Sequence, residues 1–187
     1  MGLLYLVPLM LQEGFGDSPT AAGAAVLPET IGLLVGSQLV ARTVRRHGAR
    51  RAVLGGLAGA GVAFVLVAAV APSLGVVGVG AAMWGGGLCL SHAVLIGQAA
   101  SFTTVRERAT TDATALFMAQ RTLAGALGVV VAAALLGGLA GDVGDPGDGH
   151  RIAVVALLGF LLLAAASAAR LSREALEEAF VEEPPRT

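Results

Sequence analysis

One uninterrupted apolar stretch constrains the fold of this chain more than any other feature of its sequence. Residues 52–98 contain no Asp, Glu, Lys or Arg. A helix needs roughly 20 residues to cross a bilayer, so this stretch is long enough for two crossings. Only 13% of all residues are charged and the mean hydropathy is +0.80, whereas soluble domains carry about 25% charged residues. We therefore predict an all-α, polytopic transmembrane helical bundle in a lipid bilayer.

Turn residues and charges divide the chain into six apolar segments. The connectors are QEGFGDSPT, an arginine-rich stretch, the short APS around Pro72, TTVRERATT and GDVGDPGDGHR. A transmembrane domain is predicted over residues 1–171, with spans at about 2–11 (partial), 21–41, 52–71, 74–99, 111–139 and 152–169, followed by an acidic tail at 172–187.

The first segment is too short to cross a membrane as a helix. Eleven helical residues cover only ~17 Å of a ~30 Å hydrocarbon core. We expect either a helix that is cut short or a segment that enters the membrane without crossing it. No basic region precedes it and no small-residue cleavage site follows it, so a cleavable signal peptide is not predicted.

The charges of the connectors predict the orientation in the membrane. If every segment crosses, one side receives nine arginines: Arg42, Arg45, Arg46, Arg50, Arg51, Arg106, Arg108, Arg170 and Arg173. The opposite side receives a single arginine and several acids: Arg151, Glu13, Asp17, Asp142, Asp145 and Asp148. Short arginine-rich loops stay in the cytoplasm. The C-terminus is therefore predicted to be cytoplasmic.

The arginine-rich stretch GSQLVARTVRRHGARR, residues 36–51, does not have the composition of a nucleic-acid site. It contains no aromatic residue on which a base could stack, and only about ten residues separate the two flanking spans. The net charge of the chain is −1, which gives no general affinity for polyanions. We predict no nucleic-acid partner and a role in topology or gating.

Three ionisable residues lie inside the predicted spans, where their cost makes them functional candidates. Glu29 is either a protonated packing residue or a group that moves protons or cations. Arg121 either bonds backbone carbonyls and snorkels, or faces a polar cavity or transport pathway. His92 is either a packing residue or part of that pathway. Spans two, four and five would then face a polar cavity or other protein.

Small residues and one proline in the spans predict close helix contacts or a hinge. The candidates for packing or hinge positions are Pro28, Gly85, Gly86, Gly87, Gly125 and Gly128. The pair Gly55 and Gly59, four residues apart, predicts the same kind of close contact.

Motifs of enzymes and metal sites are not found in the sequence. H-E-x-x-H, a P-loop and G-x-S-x-G are absent. The single cysteine, Cys89, supports neither a disulfide nor a zinc site. The Asp-rich loop has no Glu at the twelfth position of a calcium loop. We expect no enzymatic activity, no metal site and no bound cofactor.

Three motifs, in this order, resemble the drug:proton antiporters of the major facilitator superfamily, in their fourteen-helix multidrug efflux branch. LMLQEGFGDSPTAAGAAVLP is similar to the L-Q…G-x-S-P-x-x-A-G…L-P pattern. The arginine-rich stretch resembles the signature G-x-L-x-G-R-x-x-D-R-x-G-x-R-R, and RTLAGALGVVVAAALLG resembles R-Q-L-G-G-A-L-G-V of the next-to-last helix. The residues that match these motifs are Gln12, Gly16, Ser18, Pro19, Ala22, Gly23, Pro28, Gly36, Leu39, Arg42, Arg46, Gly48, Arg50, Arg51 and Arg121.

The resemblance implies the C-terminal six-helix half of a transporter with a truncated first helix. It implies export of drugs or other small molecules across the cell (plasma) membrane by alternating access, with the proton gradient as the energy source. A rocking cycle needs two halves, so the missing N-terminal half is an expected partner. The alternative is a non-transporting membrane remnant, or an assembly partner of a separate N-terminal half.

The sequence departs from the family pattern at several positions. Arg45 stands where the signature has Asp, and Ala41 where it has its second Gly. Met118 and Thr122 also replace the residues usual next to Arg121. The signature Asp takes part in a cytoplasmic charge relay or gate, so that role is not carried over to Arg45.

Overall fold

The computed structural model describes residues 2–102, 105, 109–139 and 158–170. Every regular element in these ranges is helical, which confirms the all-α prediction. The helices are α1 (Gly2–Leu9) with a following π-helical turn (Met10–Gly14), α2 (Pro19–Ala24), α3 (Leu27–His47), α4 (Ala49–Phe102), α5 (Thr110–Leu139) and α6 (Leu158–Arg170). The Asp-rich loop, the tail and the side chains of Arg106, Arg108, Arg151, Arg170 and Arg173 lie outside what is described.

Four helical segments are long and apolar enough to cross a membrane. They are Pro19–His47, Ala49–Val70, Ser73–Ala100 and Thr110–Ala134. The first joins α2 to α3, the second and third are the two limbs of α4, and the fourth lies in α5. They coincide with the second to fifth apolar segments of the sequence.

The two limbs of α4 fold back on each other at Gly75. This residue has φ 52° and ψ −143°, a backbone conformation that glycine adopts without a Cβ clash. The sequence favoured a turn around Pro72, but the reversal lies three residues later. Gly56 packs on Cys89 and Gly86 packs on Phe64, so the limbs run antiparallel.

A single residue, Gly48, joins α3 to α4. It has φ 81°, and its N–H donates to the carbonyl of Val44 at 2.8 Å, which closes the last turn of α3. A non-glycine residue would be strained here. The conformation explains why glycine occupies this position and brings the arginines of both helices to one end of the bundle.

Helix α3 runs parallel to the second limb of α4 at very short distance. Its buried residues, Glu29, Gly32, Gly36 and Val40, follow one another at intervals of three and four and form one stripe. A Cβ on Gly32 would overlap the carbonyl of Trp84, and a Cβ on Gly36 would overlap Ser91. Small residues let the two backbones approach, as in membrane helix pairs.

Two clusters of buried apolar side chains hold the helices together. The first connects α1 with both limbs of α4 and includes Leu6, Met10, Leu11, Phe64, Val67, Val79 and Met83. The second lies at the arginine-rich end and connects α3, α4 and α6 through Val40, Val53, Leu57, Ile96 and Ala168. Helix α5 packs chiefly on α1.

Candidate functional site

Glu29 lies in the first turn of α3, at the contact with the second limb of α4. Its side chain is only 6% exposed, and its Oε2 is buried without a hydrogen-bond partner. The backbone carbonyl of Glu29 packs directly on Gly87, where any Cβ would overlap it. A carboxyl oxygen without a partner is costly in an apolar surrounding. The backbone of Glu29 is thus closely packed on the second limb, while one oxygen of its carboxyl group stays without a hydrogen bond.

His92 connects the same two helices further toward the arginine-rich end. It is 8% exposed, and its Nε2 lies 3.2 Å from the Thr43 hydroxyl of α3. Its Nδ1 lies 3.2 Å from the carbonyl of Leu88 and 3.3 Å from the hydroxyl of Ser91. Both ring nitrogens therefore face an oxygen. A neutral imidazole has one N–H, so a shift of that proton exchanges one of these hydrogen bonds for the other.

The two hydroxyls around His92 also donate to backbone carbonyls. Thr43 Oγ1 donates to the carbonyl of Leu39 at 3.0 Å, and Ser91 Oγ donates to the carbonyl of Leu88 at 2.7 Å. With its proton placed on Leu39, the oxygen of Thr43 is free to accept from His92 Nε2. With both hydroxyl protons placed on carbonyls, a neutral imidazole donates either from Nε2 to Thr43 on α3 or from Nδ1 to the carbonyl of Leu88 on its own helix.

Arg121 lies on α5, away from Glu29 and His92. Its side chain is exposed, as are the neighbouring apolar residues Leu116, Leu123 and Leu127. Within the described residues, no hydrogen bond or ion pair connects Glu29, His92 and Arg121. The structure therefore brings spans two and four together around their ionisable residues, and leaves the arginine of span five on an uncovered face.

The arginines of the stretch 36–51 differ in their surroundings. Arg42, Arg45, Arg46 and Arg51 are exposed. Arg50 is half-buried, and its Nη2 donates to the carbonyl of Ala169 at 2.7 Å, in the last turn of α6. This hydrogen bond joins the first turn of α4 to α6.

The predicted packing positions have different surroundings. Gly87 contacts the backbone of Glu29, Gly86 lies close to Ala63, and Pro28 lies close to Gly80. Gly85 has no neighbour near the position of a Cβ. No kink occurs at the triple glycine, since Gly75 is where α4 departs from helical geometry. Gly125 and Gly128 are half-buried on α5. In the other predicted pair, Gly59 contacts Cys89 and Gly55 faces open space.

Reasoning from the sequence missed Thr43 and Gly32. Thr43 lies within the arginine-rich stretch, where the charged residues dominate the sequence pattern and a single threonine does not stand out. The available signal was spacing, because Glu29, Gly32, Gly36, Val40 and Thr43 follow one face of a helix. A stripe of small and polar residues on an otherwise apolar span identifies the side that contacts another helix.

Among the residues that the structure describes, no group of three or more His, Cys, Asp or Glu side chains could hold a metal ion. Compared with known protein families, curated proteins and solved structures, the chain matches none of them. The functional interpretation therefore depends on the geometry of Glu29 and His92 and on the motifs of the sequence.

Proposed function

We propose that the chain forms the C-terminal half of a secondary active transporter of the major facilitator type. In this proposal it exports drugs or other small molecules across the cell membrane, and protons flowing inward supply the energy. Its C-terminus and the arginine-rich stretch face the cytoplasm, as the charge distribution of the connectors favours.

The observation that carries the proposal is the environment of Glu29. A carboxyl group is buried at a helix contact within an apolar span, and one of its oxygens has no partner. A structural carboxyl would be expected to have its oxygens satisfied. Such a group can take up and release a proton. A charged carboxylate is costly at this depth, so gain or loss of the proton would change the stability of the helix contact.

Arg121 supports the need for a second half. An arginine in an apolar span is costly when it faces lipid, and it usually faces a cavity or a protein partner. Arg121 is exposed on a helix that packs chiefly on α1. An N-terminal half placed against α5 would cover this face and complete a solvated pathway.

The proposal is tested by transport in proteoliposomes. Both the chain and the longest product of its reading frame are reconstituted, a pH difference is imposed, and the movement of a lipophilic cationic dye such as ethidium is followed. Dye movement that depends on the pH difference and stops with a protonophore is expected for the complete transporter. No movement by either product would contradict the proposal.

The second candidate is a membrane protein that does not transport. It is favoured by Arg45, which is exposed and places a positive charge where the family signature has a carboxylate. Stable insertion of both products, together with no gradient-driven dye movement, is the result that this candidate predicts.

A further inference from the structure

A cavity lies at the arginine-rich end of the bundle, between α3 and the two limbs of α4. Its volume is about 270 Å³, close to the lower end of the ~300–1,000 Å³ of small-ligand sites. Its lining is largely apolar, but it includes the hydrogen-bonding or charged side chains of Thr43, His47, Arg51, Cys89 and His92.

The described side chains that line this cavity are positively charged or neutral. Arg51 and His47 are exposed at its edge, whereas His92 is buried on the second limb of α4, where it contacts Thr43. Among the residues that the structure describes, no Asp or Glu lines the cavity. In the sequence, no Asp or Glu occurs between Glu29 and Glu107. A ligand with oxygen acceptors and negative charge fits these groups.

The remaining wall is apolar or without side chains. Ala52, Gly55, Gly56 and Leu88 complete the lining. Arg51 and Ala52 belong to the first turn of α4, where the helix dipole favours an anion. A ligand that combines a phosphate with an apolar remainder meets both kinds of surface.

We propose that this cavity binds the phosphate group of an anionic phospholipid in the cytoplasmic leaflet. Arg51 and His47 pair with the phosphate oxygens, and the apolar lining contacts the glycerol end of the lipid. Basic pockets between helices on the cytoplasmic side are suited to such headgroups. The proposal uses the membrane orientation given above, but it does not require transport.

The test is binding of short-chain phosphatidylglycerol to the full chain in a neutral detergent. Dissociation constants are measured for the wild type, for Arg51→Gln and for Arg46→Gln. The last variant loses the same charge from the same stretch, but Arg46 does not line the cavity. We expect about tenfold weaker binding for Arg51→Gln, the effect of one lost charge-assisted hydrogen bond, and little change for Arg46→Gln.

A second pair of variants tests the cavity without altering charge. Gly55 lines it and has open space where a Cβ would lie, so Gly55→Leu adds a large side chain to the lining without a clash at its Cβ. Gly97 has equally open surroundings on the second limb and lies outside the cavity. Loss of lipid binding by Gly55→Leu but not by Gly97→Leu is expected. Equal binding by these two variants would contradict the proposal.

Other ligands distinguish the source of the phosphate. Short-chain phosphatidylcholine, which carries no net charge, is expected to bind more weakly than phosphatidylglycerol. Inorganic phosphate alone is expected to compete only at much higher concentration, because it lacks the apolar part. Equal affinity for phosphatidylcholine, or for inorganic phosphate, would overturn the assignment to an anionic lipid, whatever the outcome of the transport assay.

Discussion

At the scale of single residues, His92 and Glu29 are buried polar side chains that are held in different ways. His92 has an oxygen next to each ring nitrogen, whereas Glu29 has a buried oxygen without any partner. A hydrogen bond to His92 offsets the cost of removing its ring from water. The desolvation cost of the Glu29 oxygen is not offset in this way. Both residues lie at the contact between α3 and the second limb of α4, so a substitution at either one affects that contact.

The contact between His92 and Thr43 predicts a specific effect of Thr43→Val. The substitution keeps the shape of the side chain but removes the partner of His92 Nε2 across the helix contact. We expect the free energy of unfolding to fall by about 1 kcal/mol, as measured by chemical unfolding in detergent.

Thr122→Val is the matched control for that prediction. Thr122 also donates to a carbonyl four residues earlier, that of Met118 at 2.9 Å, but it is exposed on α5. Its substitution is expected to change stability little. Equal destabilisation by the two variants would mean that the histidine contact adds nothing.

The sequence identified some of these residues better than others. Glu29 and His92 were evident, because ionisable side chains are rare in apolar spans. Their surroundings were not, since Gly87 and Thr43 reach them from residues 58 and 49 positions away in the chain. Arg50 was assigned to the loop signature, and its bond to Ala169 depends on where α6 ends.

At the scale of elements, the glycines of α3 and α4 determine how closely the helices approach. At Gly32, Gly36 and Gly87, backbone or side-chain atoms of the facing helix lie so close that there is no room for a methyl group. In a bilayer the hydrophobic effect does not drive helices together, so this close packing is a main source of helix association.

Gly32→Ala is expected to disrupt the contact between α3 and the second limb of α4. The added Cβ would overlap the carbonyl of Trp84, which belongs to a helix backbone and moves only with the helix. Overpacking of this kind costs about 1–3 kcal/mol. A lower thermal midpoint in detergent is the measured consequence.

Gly97→Ala provides the comparison, because nothing lies near its Cβ position. Replacing a helical glycine with alanine gains up to about 1 kcal/mol of helix propensity, so its thermal midpoint should stay the same or rise. If both alanine variants lowered the midpoint equally, close approach at Gly32 would not be the cause.

The helices themselves were largely predictable, and one of the turns was not. The absence of charge over residues 52–98 required two crossings, and the two limbs of α4 provide them. The turn was expected around Pro72 because proline interrupts helices. The reversal instead uses Gly75, which adopts a positive φ that other residues rarely adopt.

At the scale of the whole molecule, one end of the bundle collects the arginines. Gly48 turns α3 into α4 at that end, and Arg50 connects it to the end of α6. The turn at Gly75 lies at the far end of the first limb of α4. An orientation with the arginines in the cytoplasm therefore places Gly75 outside.

Cysteine labelling tests this orientation in intact cells. In a Cys89→Ser background, Ser73→Cys and Arg45→Cys place single thiols at exposed positions near the two ends of the first limb. A membrane-impermeant maleimide is expected to label Ser73→Cys from outside, and Arg45→Cys only after permeabilisation. The reverse pattern would contradict the proposed orientation, and labelling of both from outside would contradict a crossing between them.

The arrangement of the fifth span illustrates what the sequence could not provide. Hydropathy predicted α5, and the position of Arg121 predicted a polar or protein-covered face. Which helix would cover that face depends on packing between distant segments, and α5 contacts chiefly α1. The partner half therefore stays a prediction, and Arg121 lies on the exposed face of α5.

The central claim is that the buried carboxyl of Glu29 carries the proton that drives transport. Its most direct measurement is proton flux driven by ethidium in proteoliposomes that contain a pH-sensitive dye, comparing wild type with Glu29→Gln. Glu13→Gln, at an exposed position, serves as the control carboxyl. We predict that Glu29→Gln inserts normally and loses at least about tenfold of the flux, as removal of a proton-transferring group typically costs 10²–10⁴-fold, while Glu13→Gln retains it. Identical flux in wild type and Glu29→Gln would show that Glu29 is a packing residue and would contradict the claim.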